Sequence, residues 1–165
     1  MISRRQVILA AATSPLLWAM FAVAQQPKQW RLGFLGIRPR PADLESDVNY
    51  GGLFRKLREL GYVEGRNLVL EWRAADGTLP GYRSAAADLV QHHVDAIVTT
   101  GDLAARGAQQ ASKSVPIVGG ALPDPVAAGL VDSLLRPGGN LTGASIQQPA
   151  IAPKLIEILR VSGES

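Results

Sequence analysis

Two short stretches hold residue types suited to engaging a small molecule. Thr99-Thr-Gly-Asp102 sets two hydroxyls, a glycine free to take a positive φ and a carboxylate between an apolar run and a helical pattern. Asp102 stands where a helix cap is expected. Thr100, Gly101 and the backbone beyond them could donate to a ligand carboxylate, because the first amides of a helix lack partners within it. Asp124-Pro125 repeats the arrangement one unit later, where Asp124 can cap a helix or accept from a ligand ammonium. Gly36, Ile37 and the loop with Arg38 would form a third wall, Arg38 either pairing with an anion or staying solvated. Gly36, Ile37, Thr100, Gly101, Asp102 and Asp124 are therefore the candidate ligand-binding residues.

Spacing argues against other chemistries. The chain has no cysteine, so disulfides and thiolate metal sites are excluded. His92 and His93 are adjacent, and neighbours on a helix diverge by about 100°, too far to share an ion easily. They read as cations at a helix carboxyl end. Neither G-x-G-x-x-G nor a G-x-x-x-x-G-K-[ST] phosphate loop occurs, and G-x-S-x-G and H-E-x-x-H are absent too. No catalytic residue, metal or cofactor is assigned. The net charge of +3 includes Arg4 and Arg5, and no later stretch concentrates Lys and Arg with aromatics, which speaks against nucleic acid.

These residues need a scaffold, and the hydrophobic pattern describes one. At 165 residues, 47% hydrophobic and 19% charged, the chain is the size of one globular domain. Trp30 to Leu35, ending at Gly36, reads as a first strand. Leu53, Leu57 and Leu60, with Phe54 beside them, give a helix closed by Gly61, and Gly65 turns the chain into a second strand, Asn67 to Arg73. That strand alternates as an edge strand does. Asp76-Gly77 and Pro80-Gly81 read as loop, and Tyr82, Ala86, Leu89, Val90 and His93 as a second helix. Ala96 to Val98 is an unalternated run suited to a central buried strand, followed by a helix over Leu103 to Ala111. Val115 to Val118 is a fourth strand, with Gly119 and Gly120 after it. Pro125 to Leu135 is expected to be a helix burying Ala127, Leu130, Val131, Leu134 and Leu135, and Leu141 to Ser145 a fifth strand. Pro153 opens a last helix carrying Leu155, Ile156, Ile158 and Leu159. Alternating strands and helices imply a doubly wound α/β domain, and analogy with flavodoxin-like folds gives the parallel strand order 2-1-3-4-5.

Ahead of it, residues 1–24 have the form of an export signal: Arg4-Arg5, an apolar Val7 to Val23, and Ala22-Val23-Ala24 as a cleavage site. Ser3 to Leu9 also resembles the twin-arginine pattern, with Val7 and Leu9 as departures. An uncleaved anchor is the alternative, since Val7 to Val23 lies at the short edge of a membrane span. The expected location is periplasmic.

Gly33-Phe-Leu35, Leu57-Arg-Glu-Leu-Gly-Tyr-Val-Glu-Gly65, Ala87-Asp-Leu-Val90, Pro116-Ile-Val118, Asp124-Pro-Val126, Gly129-Leu-Val131 and Arg136-Pro-Gly-Gly-Asn-Leu-Thr-Gly143 together resemble the ABC transporter substrate-binding proteins of the tryptophan-binding type. The resemblance implies an exported solute-binding component that delivers a small molecule, amino acids included, to an ABC permease in the membrane. It also implies two α/β lobes of a periplasmic-binding-protein fold, in chains about twice this length. Residues 25–165 would then be the amino-terminal lobe, the second lobe being absent through truncation or a frameshift. Such a lobe is expected to be less stable or to self-associate through the face that meets its partner. Asp102 departs from the family, which tends to have small or hydroxyl residues or Pro in that turn. A sensor or interaction domain shares this fold and is the other function class; an enzyme is the third.

Overall fold

The computed structural model describes residues 28–146. The export signal and the helix expected after Pro153 lie outside them. Five parallel strands form one sheet in the order β2-β1-β3-β4-β5, with β1 at Trp30–Gly36, β2 at Leu68–Ala74, β3 at Ala96–Thr100, β4 at Ile117–Leu122 and β5 at Leu141–Ser145. The strand Ala96–Thr100 is central, as expected from the apolar run Ala96 to Val98, and Ile97 and Thr99 are almost wholly buried. The helices are α1 (Gly51–Glu59), α2 (Leu79–Gln91) and α3 (Asp102–Ala111).

Alternation along the strands creates two cores. On one face Leu35, Ile97 and Ile117 pack under Leu89 of α2 and Ala104, Ala105 and Ala108 of α3. On the other, Phe34, Leu68 and Leu70 pack under Phe54 of α1. There Phe34 stacks on Trp72 with ring centroids 4.7 Å apart, and Tyr50 and Phe54 close over the pair at 5.9 and 5.3 Å from Phe34. These rings correct the expected stripe on α1. Phe54 is buried and Leu57 half-buried, whereas Leu53 and Leu60 are exposed, because the aromatic rings fill the space beneath the helix and leave no room for a broad leucine face. The carboxyl end of α1 follows the glycine rule: Gly61 has φ 87°, its N–H donates to Arg58 O, and Tyr62 N–H donates to Leu57 O.

Three further boundaries differ from expectation. Pro80 and Gly81 belong to the first turn of α2, where proline's missing N–H leaves no helical bond unmade. Thr78 Oγ1 accepts from Gly81 N–H at 3.1 Å and itself donates to Asp76 Oδ1 at 2.7 Å, which also accepts from Thr78 N–H. A Cβ on Gly81 would meet Asp76 Oδ1 at 2.0 Å, so glycine is what lets the carboxylate fold over the helix end. The hydroxyl of Thr78, then its amide, hold the Asp76 carboxyl below its ordinary range. A lowered folded pKa contributes stability above the unfolded value of about 3.9 and loses it as pH falls through the folded one. Asp76→Asn is therefore expected to melt earlier than wild type at pH 7, with the gap closing below about pH 3.9. Thermal melts across that range check it, and a gap indifferent to pH would refute it.

The second correction concerns the segment after β4. Residues 125–128 make a single turn, in which Ala128 N–H donates to Asp124 O, and Gly129 ends it at φ 63° with Leu130 N–H donating to Pro125 O. This is the same glycine stop that closes α1, placed one turn in, so no helix reaches residue 135. Leu130 is buried and Val131 half-buried, but Ala127 is exposed and Leu134 and Leu135 lie 50% and 94% exposed. Gln109 Nε2 donates to Leu130 O at 2.9 Å and Arg106 to Ala128 O, so α3 holds the turn in place by side chains. Finally, β4 runs on through Gly119 and Gly120 to Leu122 instead of ending at Val118.

Candidate functional site

At the carboxyl ends of β1, β3 and β4 lies an open cleft of about 740 Å³, within the range of small-molecule sites. Its walls are Ile37 and Arg38 after β1, Val48, Asn49 and Tyr50 before α1, Thr100 at the end of β3, and Gly120 and Ala121 of β4. Topology brings these together: in a parallel sheet every strand delivers its chain to the same edge, and neighbouring strands leave in different directions at the switch between β1 and β3.

Each wall has a local cause. Trp72 Nε1 donates to Arg38 O at 2.9 Å and fixes the loop after β1. Asp47 accepts from the Asn49 and Tyr50 amides at 2.8 and 2.9 Å, and its own carbonyl accepts from Gly51 N–H, which sets the entry to α1. Tyr50 thus reaches from the aromatic core to the cleft, where its hydroxyl lies 3.6 Å from the position of a Cβ on Gly36. Arg38 forms no ion pair among the described residues, while the nearby Arg40 is bound to Glu64 at 2.7 Å.

Of the six candidate residues, Ile37 and Thr100 line the cleft itself. Gly36 is the last residue of β1, directly before that wall. Gly101 has φ 79° and forms the amino-terminal cap of α3, with open space where a Cβ would stand, as the turn chemistry requires. Its N–H donates to Gly120 O at 3.2 Å. Asp102 does not cap: it is the first residue of α3, and among the described residues the helix has no side-chain cap and Asp102 Oδ1 is buried without a hydrogen-bond partner. A carboxylate on the first helical residue lies past the capping position, whose side chain must reach forward to the second or third amide. Thr99 Oγ1 is likewise buried and unpartnered among the described residues. Asp124 does cap, its Oδ1 accepting from Ala127 N–H at 2.9 Å, and it stands outside the cleft wall.

Sequence reasoning missed Val48, Asn49, Tyr50, Gly120 and Ala121. The first three had a usable signal, since the residues entering the helix after β1 must lie at the ligand edge of a doubly wound sheet. Gly120 and Ala121 had none, because they reach the cleft through an irregularity in β4. Among the described residues no group of three or more His, Cys, Asp or Glu is placed to hold a metal ion, and no helix is long and apolar enough to cross a membrane. The histidines lie at the far end of α2, where His92 approaches Asp88 and Arg73.

A family model described as ABC transporter substrate binding protein matches residues 44–161. A tyrosine-binding protein of Clostridioides difficile (strain R20291) is 37% identical over 94 residues, which is 57% of this chain and 27% of that protein. Among solved structures, the ABC domain in complex with L-Trp from Streptococcus pneumonia matches with a TM-score of 0.62 at 30% identity, over 72% of this chain and 39% of its own. A conserved domain protein from Vibrio cholerae matches with a TM-score of 0.68 at 31% identity, over 81% of this chain and 43% of its own. This chain spans less than half the length of each of these relatives.

Proposed function

The chain belongs to the ABC transporter substrate-binding protein family, and from that premise we propose that residues 28–146 form one wall of a cleft that binds a small zwitterion, such as an amino acid, for an exported ABC-type uptake system. The observation that carries the proposal is the cleft over Thr100 and Gly120, beside an α3 amino terminus with no side-chain cap. Amides at such a terminus suit a carboxylate, and Arg38 at the opposite wall supplies a second positive group. Relatives named for binding tyrosine, or solved with L-Trp, make aromatic amino acids the first ligands to try. Ile37 and Val48, 63% and 93% exposed at the cleft mouth, suit an apolar second wall. Residues 1–24 serve in this reading as the export signal, and a membrane permease is the partner.

One wall makes part of the contacts. If it supplies half of a micromolar site's roughly 8 kcal/mol, binding to residues 28–146 alone falls near 1 mM. Titration of L-tryptophan and L-tyrosine followed by amide NMR is expected to saturate in that range, moving the resonances of Ile37, Tyr50, Thr100 and Gly120. Perturbations that cluster elsewhere, or none up to about 20 mM, would overturn the reading.

A further inference from the structure

Ala121 is an alanine in the left-handed region, with φ 51°. That conformation is costly for any residue with a Cβ, and such outliers persist only where their surroundings impose them. The cause lies one strand away. A Cβ on Gly143 of β5 would meet Gly119 O at 1.9 Å, so the backbones of β4 and β5 approach more closely at this pair than a side chain allows. Beyond it the register slips: Gly119 pairs with Gly143, but the next pair is Leu122 with Ser145. Two residues of β4, Gly120 and Ala121, therefore stand opposite one residue of β5, which is a β-bulge.

The bulge points at the site. Gly120 and Ala121 both line the cleft, and Gly120 O accepts from Gly101 N–H at 3.2 Å, the amide of the α3 cap. The far side is fixed too, since Leu122 O accepts from Ile146 N–H at 2.9 Å and from Ser145 Oγ at 3.1 Å. We infer that Ala121 is a positioning residue for ligand binding: its left-handed bulge sets the Gly120 carbonyl, which in turn sets the amino terminus of α3 against the cleft. This inference rests on the cleft being the ligand site, and it adds the residue that holds the geometry.

The test compares Ala121→Val with Ala121→Gly in the full chain. Glycine takes φ 51° freely, whereas a β-branched side chain does not. A121V is expected to move the Gly101 and Thr100 amide resonances without ligand present, and to weaken L-tryptophan binding at least about tenfold. A121G is expected to leave both near wild type and to raise the melting midpoint by a few degrees as the strain is released. A Gly101 amide that stays put in A121V, or moves as far in A121G, would overturn the inference. Should the wild type bind neither L-tryptophan nor L-tyrosine, the ligand reading falls while the Gly101 amide still decides the role of Ala121. Should A121V fail to fold, the A121G midpoint decides, and a midpoint at or below wild type overturns the inference.

Discussion

Gly107→Ala is expected to destabilise the fold by about 1–3 kcal/mol, against a helix-propensity gain of about 1 kcal/mol that the same change yields at an exposed site. Gly107 lies on the buried face of α3, where a Cβ would meet Tyr82 Cβ at 2.6 Å and the Arg83 N and Tyr82 C atoms of α2 at 3.0 Å. None of these atoms lies at the end of a flexible side chain. The helices would have to part, and with them the packing of Ala86 and Leu89 against Ala104 and Ala108. Gly52 of α1 is the matched control, because it is exposed and a Cβ there meets nothing within 4 Å. Gly52→Ala should stabilise by up to about 1 kcal/mol. Urea denaturation of the two variants gives opposite shifts in midpoint if steric contact is what decides, and equal shifts would refute the account.

The same contrast explains what could be read from residue types. The central strand was legible from Ala96 to Val98 because burial on both faces demands an unbroken apolar run, and the strand order came by analogy with doubly wound folds, whose right-handed crossovers leave few topologies. Gly61 and Gly101 were legible because their conformations suit glycine above all other residues. The segment 125–135 was misread for a related reason. Gly129 was taken as part of a helical pattern, yet its positive φ ends the turn, and the leucines at 134 and 135 fell into helical spacing with no helix to carry them. Spacing alone does not say whether a glycine continues a helix or stops it. The stripe on α1 failed because the aromatic cluster joins residues far apart in sequence, Phe34, Phe54 and Trp72, whose mutual packing overrides the local pattern.

The cleft was less legible than the fold, since its walls come from four separate segments of the chain, 37–38, 48–50, 100 and 120–121. Thr100 and Ile37, which line the cleft, were named as candidates because they stand at strand ends, which a doubly wound sheet places at its ligand edge. The bulge at Gly120 and Ala121 depends on the close approach of Gly119 and Gly143, a contact between two strands that no single stretch of sequence encodes. Asp124 was offered either as cap or ligand acceptor, and the bond it makes to Ala127 N–H shows it acting as a cap.

Asp102→Ser is expected to tighten binding of an anionic ligand group by about thirtyfold. Asp102 is the first residue of α3, and its negative charge offsets the positive end of the helix dipole at the place where the proposed site would bind a carboxylate. At an effective dielectric near 20, two negative charges roughly 8 Å apart repel by about 2 kcal/mol, which corresponds to that factor. Loss of the carboxylate also removes the unpartnered Oδ1, so the gain should not be offset by a large loss of stability. Asp102→Asn separates charge from shape and should recover most of the gain. Raising the salt to about 1 M shortens the screening length to about 3 Å and should shrink the difference between wild type and both variants. NMR titration of L-tryptophan into the three proteins at low and high salt measures all of this. Equal or weaker affinity in both variants would place the ligand's carboxylate away from α3 and return the search to Arg38 at the opposite wall.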